Sequence, residues 1–350
     1  MIFQESKIFK NEEVLSPEYL PDLLPHREIQ IKGLANNLLP ASKGRKPQNT
    51  FISGPPGLGK TAVVKFVFHE IEDFSERVKT IYINCWTFKT AHAILSEIAG
   101  DIGFLTQRRG WAKDEIVKRL IEGLNKINKS LIICLDEVDQ LKEEEVLYDL
   151  LRINQYVKNP VGLVFISNDP WVFVKVEPRI KSSLNIEEIV FKAYSLQEMR
   201  DILQKRIENA FCANIESAAL LLIANHAVRK GGDVRIGLEC LLKAGRKAEE
   251  EISDKVRIEH VKKILPKEKA KSRILKERIS ATERTILKIL EESKHLHSGE
   301  LYKKYCNEVK SPLSERTFRD YVNHLAKIGL IRIKRRKIHG SVRIITKTDF

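Results

Sequence analysis

Apolar residues recur along this chain in two rhythms, and the change between them divides it. Four short apolar runs, Thr50-Phe51-Ile52-Ser53, Thr80-Ile81-Tyr82-Ile83-Asn84, residues 130–135 and residues 161–167, are separated by longer stretches where apolar positions return every three or four residues. The short runs read as buried strands and the stretches between them as amphipathic helices. That alternation predicts an α/β fold, a parallel sheet with helices on both faces. Beyond Phe191 the strand rhythm stops until Ile331, and residues 195–211, 215–229, 233–251 and 258–265 predict four helices in succession. Before the first strand, an irregular start containing Pro17, Pro21 and Pro25 leads into a helix over residues 27–39, closed by Pro40.

The last part of the chain has its own pattern. A Lys- and Arg-rich stretch at 267–278 reads as a linker or a basic helix. Ile286, Leu287 and Leu290 then share one side of a first helix, and residues 298–309 form a second. A third starts at Ser311-Pro312 or Ser314 and turns Phe318, Val322, Leu325 and Ile328 inward, which leaves Arg316, Arg319 and Asn323 on the opposite face. Two alternating segments, Leu330-Ile331-Arg332-Ile333-Lys334 and Ser341-Val342-Arg343-Ile344-Ile345, predict a hairpin joined through Arg335-Arg336-Lys337-Ile338-His339-Gly340. A helix-turn-helix followed by a hairpin is the order of a winged helix. In that arrangement Arg316, Arg319 and Asn323 address a DNA major groove, the alternative being a solvated polar face, and Arg335, Arg336, Lys337 and Arg343 a phosphate backbone or minor groove.

Charge sharpens this reading. The chain of 350 residues carries a net charge of +14, yet residues 266–350 hold 22 Lys+Arg against 10 Asp+Glu, leaving the first 265 residues nearly balanced. Concentrated positive charge on a structured segment points to nucleic acid or an anionic surface, the alternative being a solvated basic tail. An apolar content of 43% supplies real cores. No apolar run reaches the eighteen or so residues of a membrane span, and the first residues lack a basic region followed by an apolar one. The expectation is a soluble, unexported, cytoplasmic protein with no membrane partner. Five cysteines without a C-x-x-C pair suit a reducing compartment.

The chemistry is concentrated around the first and third strands. Residues Gly54, Pro55, Pro56, Gly57, Leu58, Gly59, Lys60 and Thr61, followed by Ala62, form a glycine loop between a strand and a helix. Such a loop cradles phosphates with backbone N–H groups, sends its lysine to the β and γ oxygens and offers the Thr61 hydroxyl to Mg²⁺. Asp136 and Glu137 end the strand Leu131-Ile132-Ile133-Cys134-Leu135, so Asp136 is the expected second Mg²⁺ residue, directly or through water, and Glu137 the residue that polarises an attacking water. Asn168 follows the strand at 161–167, either near the γ-phosphate or as a turn former. ATP or ADP with Mg²⁺ is the expected cofactor.

These features resemble the AAA+ ATPases. Leu24-Pro25-His26-Arg27-Glu28, the run Glu177-Pro178-Arg179-Ile180-Lys181-Ser182-Ser183-Leu184 and Gly232-Asp233-Val234-Arg235 narrow the resemblance to the archaeal replication initiators of the origin-recognition and Cdc6 type, over essentially the whole chain. The resemblance implies a nucleotide-binding domain with its N-terminal linker over 1–190, a helical lid over 191–265, a basic linker over 266–280 and a winged helix over 281–350. It further implies Asn168 as a first sensor, Arg235 as a second sensor on the lid, Arg179 as an arginine finger toward a neighbouring subunit, and residues 19–27, with Tyr19, His26 and Arg27, beside the adenine, a simple N-terminal packing segment being the alternative. Arg179 pairing with a nearby glutamate, and Arg235 capping its helix against Asp233, are the structural alternatives. Arg108 and Arg109, where such initiators carry an inserted DNA-touching element, either meet phosphates or form a basic turn anchored by Trp111. A single glycine at the wing tip, Gly340, departs from the family's glycine- and arginine-rich tip and argues against transferring a particular DNA sequence preference. The implied function is a slow, switch-like ATPase that binds double-stranded origin DNA in the nucleoid, recruits or loads the MCM helicase and meets other initiator subunits. A transcriptional or signalling P-loop ATPase with a winged helix, and a branch-migration motor, are the alternatives.

Overall fold

The computed structural model describes residues 7–103, 113–174, 176–265, 280–293, 296–309, 312–327, 330–337 and 341–347. Arg108 and Arg109, the stretch at 266–279 and residues 338–340 of the expected hairpin turn lie outside them. The chain divides into two units, residues 1–264 and 265–350.

The first unit is built on a sheet. Its helix α1 (Glu28–Leu38) precedes β1 (Asn49–Ser53), α2 (Lys60–Phe74), β2 (Val78–Asn84), α3 (Ala91–Asp101), α4 (Lys113–Lys126), β3 (Ser130–Asp136), α5 (Glu145–Arg152), β4 (Val161–Ser167), α6 (Pro178–Leu184) and β5 (Ile186–Val190). The five strands are parallel, in the order β2-β3-β4-β1-β5. Every residue of β1, β3 and β4 is buried, which is why these strands read as unbroken apolar runs. Phe173 packs its ring edge-on against Phe51 and Phe165, at centroid distances of 5.0 and 5.3 Å, under one face of the sheet.

The fifth strand, β5, was not among the expected ones. Its Glu187 and Glu188 are exposed and interrupt the apolar pattern, as charges on an edge strand do when they block further pairing. Parallel register sets Asn84 opposite Asp136 and Ser53 opposite Ser167, so the carboxyl ends of β1 to β4 share one edge. Open parallel sheets bind ligands along that edge.

Four helices follow, as the spacing predicted: α7 (Leu196–Ala210), α8 (Ser217–Arg229), α9 (Val234–Glu250) and α10 (Ile258–Ile264). Ser195 and Glu198 close a capping box at the start of α7. The first described residues are not a loose start to the sheet domain, because they dock on these helices. Lys10 N donates to Ala210 O at 2.8 Å, Cys212 N to Ile8 O at 2.9 Å, and the Phe9 and Phe211 rings lie 4.8 Å apart. Gly245 on α9 makes this possible, since a Cβ there would sit 2.2 Å from the Phe9 ring. From this anchorage residues 16–27 run as a strap back to α1.

The second unit contains α11 (Ala281–Glu292), β6 (Leu296–His297), α12 (Ser298–Glu308), α13 (Glu315–Lys327), β7 (Ile331–Lys337) and β8 (Ser341–Lys347). Its antiparallel sheet has the order β6-β8-β7, and the arrangement is a winged helix. Two corrections to the sequence reading arise here. The two-residue strand β6 is too short for any periodicity to reveal, and Arg335, Arg336 and Lys337 belong to β7 rather than to the hairpin turn. Phe318, Val322 and Leu325 enter the core with Ile286, Leu290 and Tyr305. Buried Glu283 closes a capping box with Ser280 and bonds His324 Nδ1 at 2.5 Å, tying α13 to α11.

Among the described residues no helix is long and apolar enough to cross a membrane, and all five cysteines are free.

Candidate functional site

The loop between β1 and α2 is shaped by what happens to its carbonyls. Lys60 folds back so that its Nζ donates to Gly54 O at 2.7 Å and Pro55 O at 2.8 Å. Gly57 O accepts from Val234 N at 3.1 Å, Leu58 O from both Arg27 Nε at 3.0 Å and Tyr194 Oη at 3.1 Å, and Gly59 O from Val63 N at 2.9 Å. In a trans peptide the N–H points opposite to the C=O. Tying these carbonyls outward therefore turns the N–H groups of Leu58, Gly59 and Lys60 the other way, as a phosphate cradle requires. Two glycines are obligatory. Gly54, at φ 146°, passes so close to Phe191 that a Cβ would lie 2.4 Å from its carbonyl oxygen, and a Cβ on Gly57, at φ 72°, would overlap the Asp233 carboxylate.

A cavity of about 570 Å³ opens over this loop. Its lining runs from Pro56 to Ala62, takes in Asp136, Glu137 and Asn168 from the sheet edge and Arg206 and Arg235 from the lid, and is closed by the strap around Tyr19. Lys60 is 7% exposed and also donates to Asn168 Oδ1 at 2.8 Å. Burial, only partly offset by Asp136, pushes its ammonium down to about 8. Asp136 is 4% exposed and fully engaged: Oδ2 accepts from Thr61 Oγ1 at 2.6 Å and Tyr82 Oη at 2.7 Å, and Oδ1 from Glu137 N at 2.8 Å. Glu137 occupies the left-handed region at φ 56°, a strained turn that brings its carboxylate to the cavity. Burial, then the neighbouring Asp136 and Asp139, raise its carboxyl above its ordinary value, a direction that favours proton acceptance.

Thr61 and Asp136 suit a hard cation. Thr61 gives its proton to Asp136, so its lone pairs stay available for an ion. Among the described residues no group of three His, Cys, Asp or Glu could hold a metal ion alone. A pair of oxygen donors completed by phosphate and water is the usual seat of Mg²⁺.

Arg235 lines the cavity, but its fork is occupied by Asp233, with Nε to Oδ1 at 3.0 Å and Nη2 to Oδ2 at 2.8 Å. Arg179 lies outside the cavity on α6, exposed, paired with Glu177 at 2.8 Å and set over the Tyr148 ring. Tyr19 and Arg27 line the cavity. His26 does not: at φ 64° its ring turns to Asp201 on α7, 3.2 Å away. Arg27 is 5% exposed and spends its donors on protein carbonyls, Leu58 O, His26 O and Lys192 O, with its guanidinium 3.7 Å from the Tyr194 ring centroid. It therefore braces the loop from beneath.

Sequence reasoning overlooked Tyr82, Asn84, Lys65 and Arg206, all of which line the cavity. A signal existed for the first two: Thr80, Tyr82 and Asn84 alternate with Ile81 and Ile83, marking a polar face on β2. Arg206 gave none. It holds the strap by donating to Val14 O at 3.1 Å and Tyr19 O at 3.4 Å.

In the second unit, Arg316, Arg319 and Asn323 are exposed along one face of α13, with Arg319 bonded to Glu315 one turn earlier at 2.5 Å. Arg343 is half-buried on β8, opposite Arg335 in register.

Comparison with known proteins matches residues 44–169 to the family described as AAA domain and residues 200–264 to the Cdc6 AAA+ ATPase-type lid domain. The chain is 37% identical over 347 residues to ORC1-type DNA replication protein 1 of Archaeoglobus fulgidus, covering 94% of this chain and 85% of that protein. It is 36% identical to the ORC1-type DNA replication protein of Pyrococcus abyssi, covering 95% and 85%. Among solved structures, the Aeropyrum pernix ORC1 protein in complex with DNA superposes with a TM-score of 0.69 at 32% identity, covering 98% of this chain and 94% of that one.

Three outcomes are expected from this geometry. Arg27→Ala should cost about 2–4 kcal/mol in denaturant unfolding, because Leu58 O and Lys192 O lose a charged partner inside the fold. The lowered Lys60 ammonium means that the free protein pays for a buried charge below about pH 8, a cost that fades toward 10.5. Stability of the free protein should therefore rise across that window. Phosphates restore the charge, so ADP binding should take up close to one proton near about pH 9, declining as pH falls below 8. Calorimetry in buffers of different ionisation enthalpy measures this uptake.

Proposed function

The chain belongs to the ORC1-type DNA replication proteins, within the AAA+ ATPases, and from that premise we propose that it is an ATP-regulated initiator of replication. It takes ATP or ADP with Mg²⁺ in the cavity of the first unit, grips duplex origin DNA through the second, and helps recruit or load the MCM helicase. The observation that carries the nucleotide part is that one cavity gathers the glycine loop, Asp136 and Glu137 at the end of β3, Asn168 after β4 and Arg235 on the lid. A ligand spanning these groups interacts with loop, sheet edge and lid at once. It can bias their arrangement to the extent that it binds one arrangement more tightly.

In this reading Lys60 neutralises the phosphates and Asn168, which shares a hydrogen bond with Lys60 Nζ, orients that ammonium. Thr61 and Asp136 hold Mg²⁺, which when bound offsets charge on the phosphate oxygens. Glu137 accepts the proton of the attacking water. Arg235 must exchange its Asp233 partner for phosphate oxygens, which couples lid position to the nucleotide. Hydrolysis by a single chain is slow, because the one remaining cation of the expected set, Arg179, lies outside the cavity and serves a neighbouring initiator subunit. The second unit supports DNA binding by its exposed Arg316 and Arg319 and by the concentration of positive charge after residue 265. Its place of action is the nucleoid.

Glu137→Gln should bind ATP like the wild type and lose turnover by about 10²–10⁴-fold, whereas Lys60→Ala should bind no nucleotide. Normal hydrolysis in either would contradict the assignment. Footprinting on genomic DNA should protect one or a few origin elements; protection of promoters, or a preference for four-way junctions, would replace initiation with transcriptional control or branch migration.

DNA affinity should fall with salt at a log–log slope of roughly 0.9 per phosphate neutralised, and Arg319→Ala should lower that slope by about one phosphate. Glu315→Ala, which releases Arg319, should strengthen binding in the same assay.

A further inference from the structure

At the end of β2, Tyr82 brings a phenol into the cavity that the reading above does not use. Its hydroxyl reaches Asp136 Oδ2 at 2.7 Å, the oxygen that also accepts from Thr61 at 2.6 Å. The parallel register explains the reach: Tyr82 stands opposite Cys134, two residues before Asp136 and on the same face of the sheet. The ring is held in place from α2, where Lys65, one turn beyond Thr61, sets its ammonium 4.7 Å from the ring centroid. Asp136 is thus held at three points, by Thr61, by Tyr82 and by the Glu137 N–H.

The loop motif and the acidic strand end account for Thr61 and for Asp136, but neither accounts for what fixes the carboxylate plane. Without the phenol, Oδ2 would keep only the Thr61 hydroxyl, whose own lone pairs are needed for the ion. Carboxylates that hold metals are oriented by hydrogen bonds of this kind, and their loss typically costs roughly 10–100-fold in metal affinity.

We infer that Tyr82 is the positioning residue of the divalent-cation site: it locks Asp136 in the orientation that serves the ion and thereby sets how much Mg²⁺ the protein needs to hold nucleotide. This rests on the nucleotide reading above, and the test separates the two. A fluorescent ADP analogue is titrated onto the full chain, wild type and Tyr82→Phe, first in EDTA and then against increasing MgCl₂. The Phe variant should match the wild type in EDTA and need roughly tenfold more Mg²⁺ to reach the half-maximal effect. An unchanged or lower Mg²⁺ midpoint overturns the inference while leaving the nucleotide site standing. Loss of binding in EDTA overturns it too, since the tyrosine would then be a packing residue for the whole pocket. If the wild type binds no analogue under either condition, the nucleotide reading falls and the role of Tyr82 with it.

Discussion

The first unit depends on a constraint placed on one loop: its carbonyls must be drawn away from the cavity so that its amides can face into it. No single neighbour supplies the partners. Arg27 and Tyr194 take Leu58 O from the strap and from the segment after β5, Val234 takes Gly57 O from the start of α9, and Val63 takes Gly59 O from the first turn of α2. A loop built alone from glycine, proline and a lysine would have many conformations of similar energy. Here the choice among them is made by residues that precede it and by residues far beyond it in the chain. The lid is therefore part of what gives the loop its shape, and a ligand that presses on the loop presses on the lid through the same bonds.

The same constraint explains which parts of the site were legible in the sequence. Gly54, Gly57, Gly59, Lys60, Thr61, Asp136 and Glu137 are recognisable because their chemistry fixes both residue type and spacing. Asn168 was read from its place after a strand and Arg235 from resemblance, and both line the cavity. Residues that act through backbone carbonyls or a second partner left little trace. An arginine beneath a loop, such as Arg27, looks like any arginine beside a pocket until its donors are followed, and Tyr82 was absorbed into a strand whose apolar residues drew attention to the other face. His26 shows the opposite error. It sits beside a pocket residue in sequence, yet a left-handed backbone turns it toward Asp201 and the lid.

Fold-level legibility followed burial in the same way. Strands β1, β3 and β4 are wholly buried, so hydrophobic pattern alone found them; β5 lies at the sheet edge, where Glu187 and Glu188 are tolerated, and pattern alone missed it. In the winged helix, Phe318, Val322 and Leu325 fixed the inward face of α13 and so its outward arginines. The limits of the hairpin were set less well, because cationic residues continue along β7 past the point where apolar alternation fades. Backbone pairing is invisible to a test based on side-chain hydropathy.

The docking of Ile8, Phe9 and Lys10 on Ala210, Phe211 and Cys212 has a temporal consequence. A ribosome releases the chain from its amino end, so these first residues emerge some two hundred positions ahead of the helix that receives them. At ordinary elongation rates that is a wait of roughly 10–40 s. Until the wait ends, the Phe9 ring has no groove to enter, and the strap that frames the nucleotide cavity has no far anchor. The cavity is thus among the last features of the first unit to be completed during synthesis.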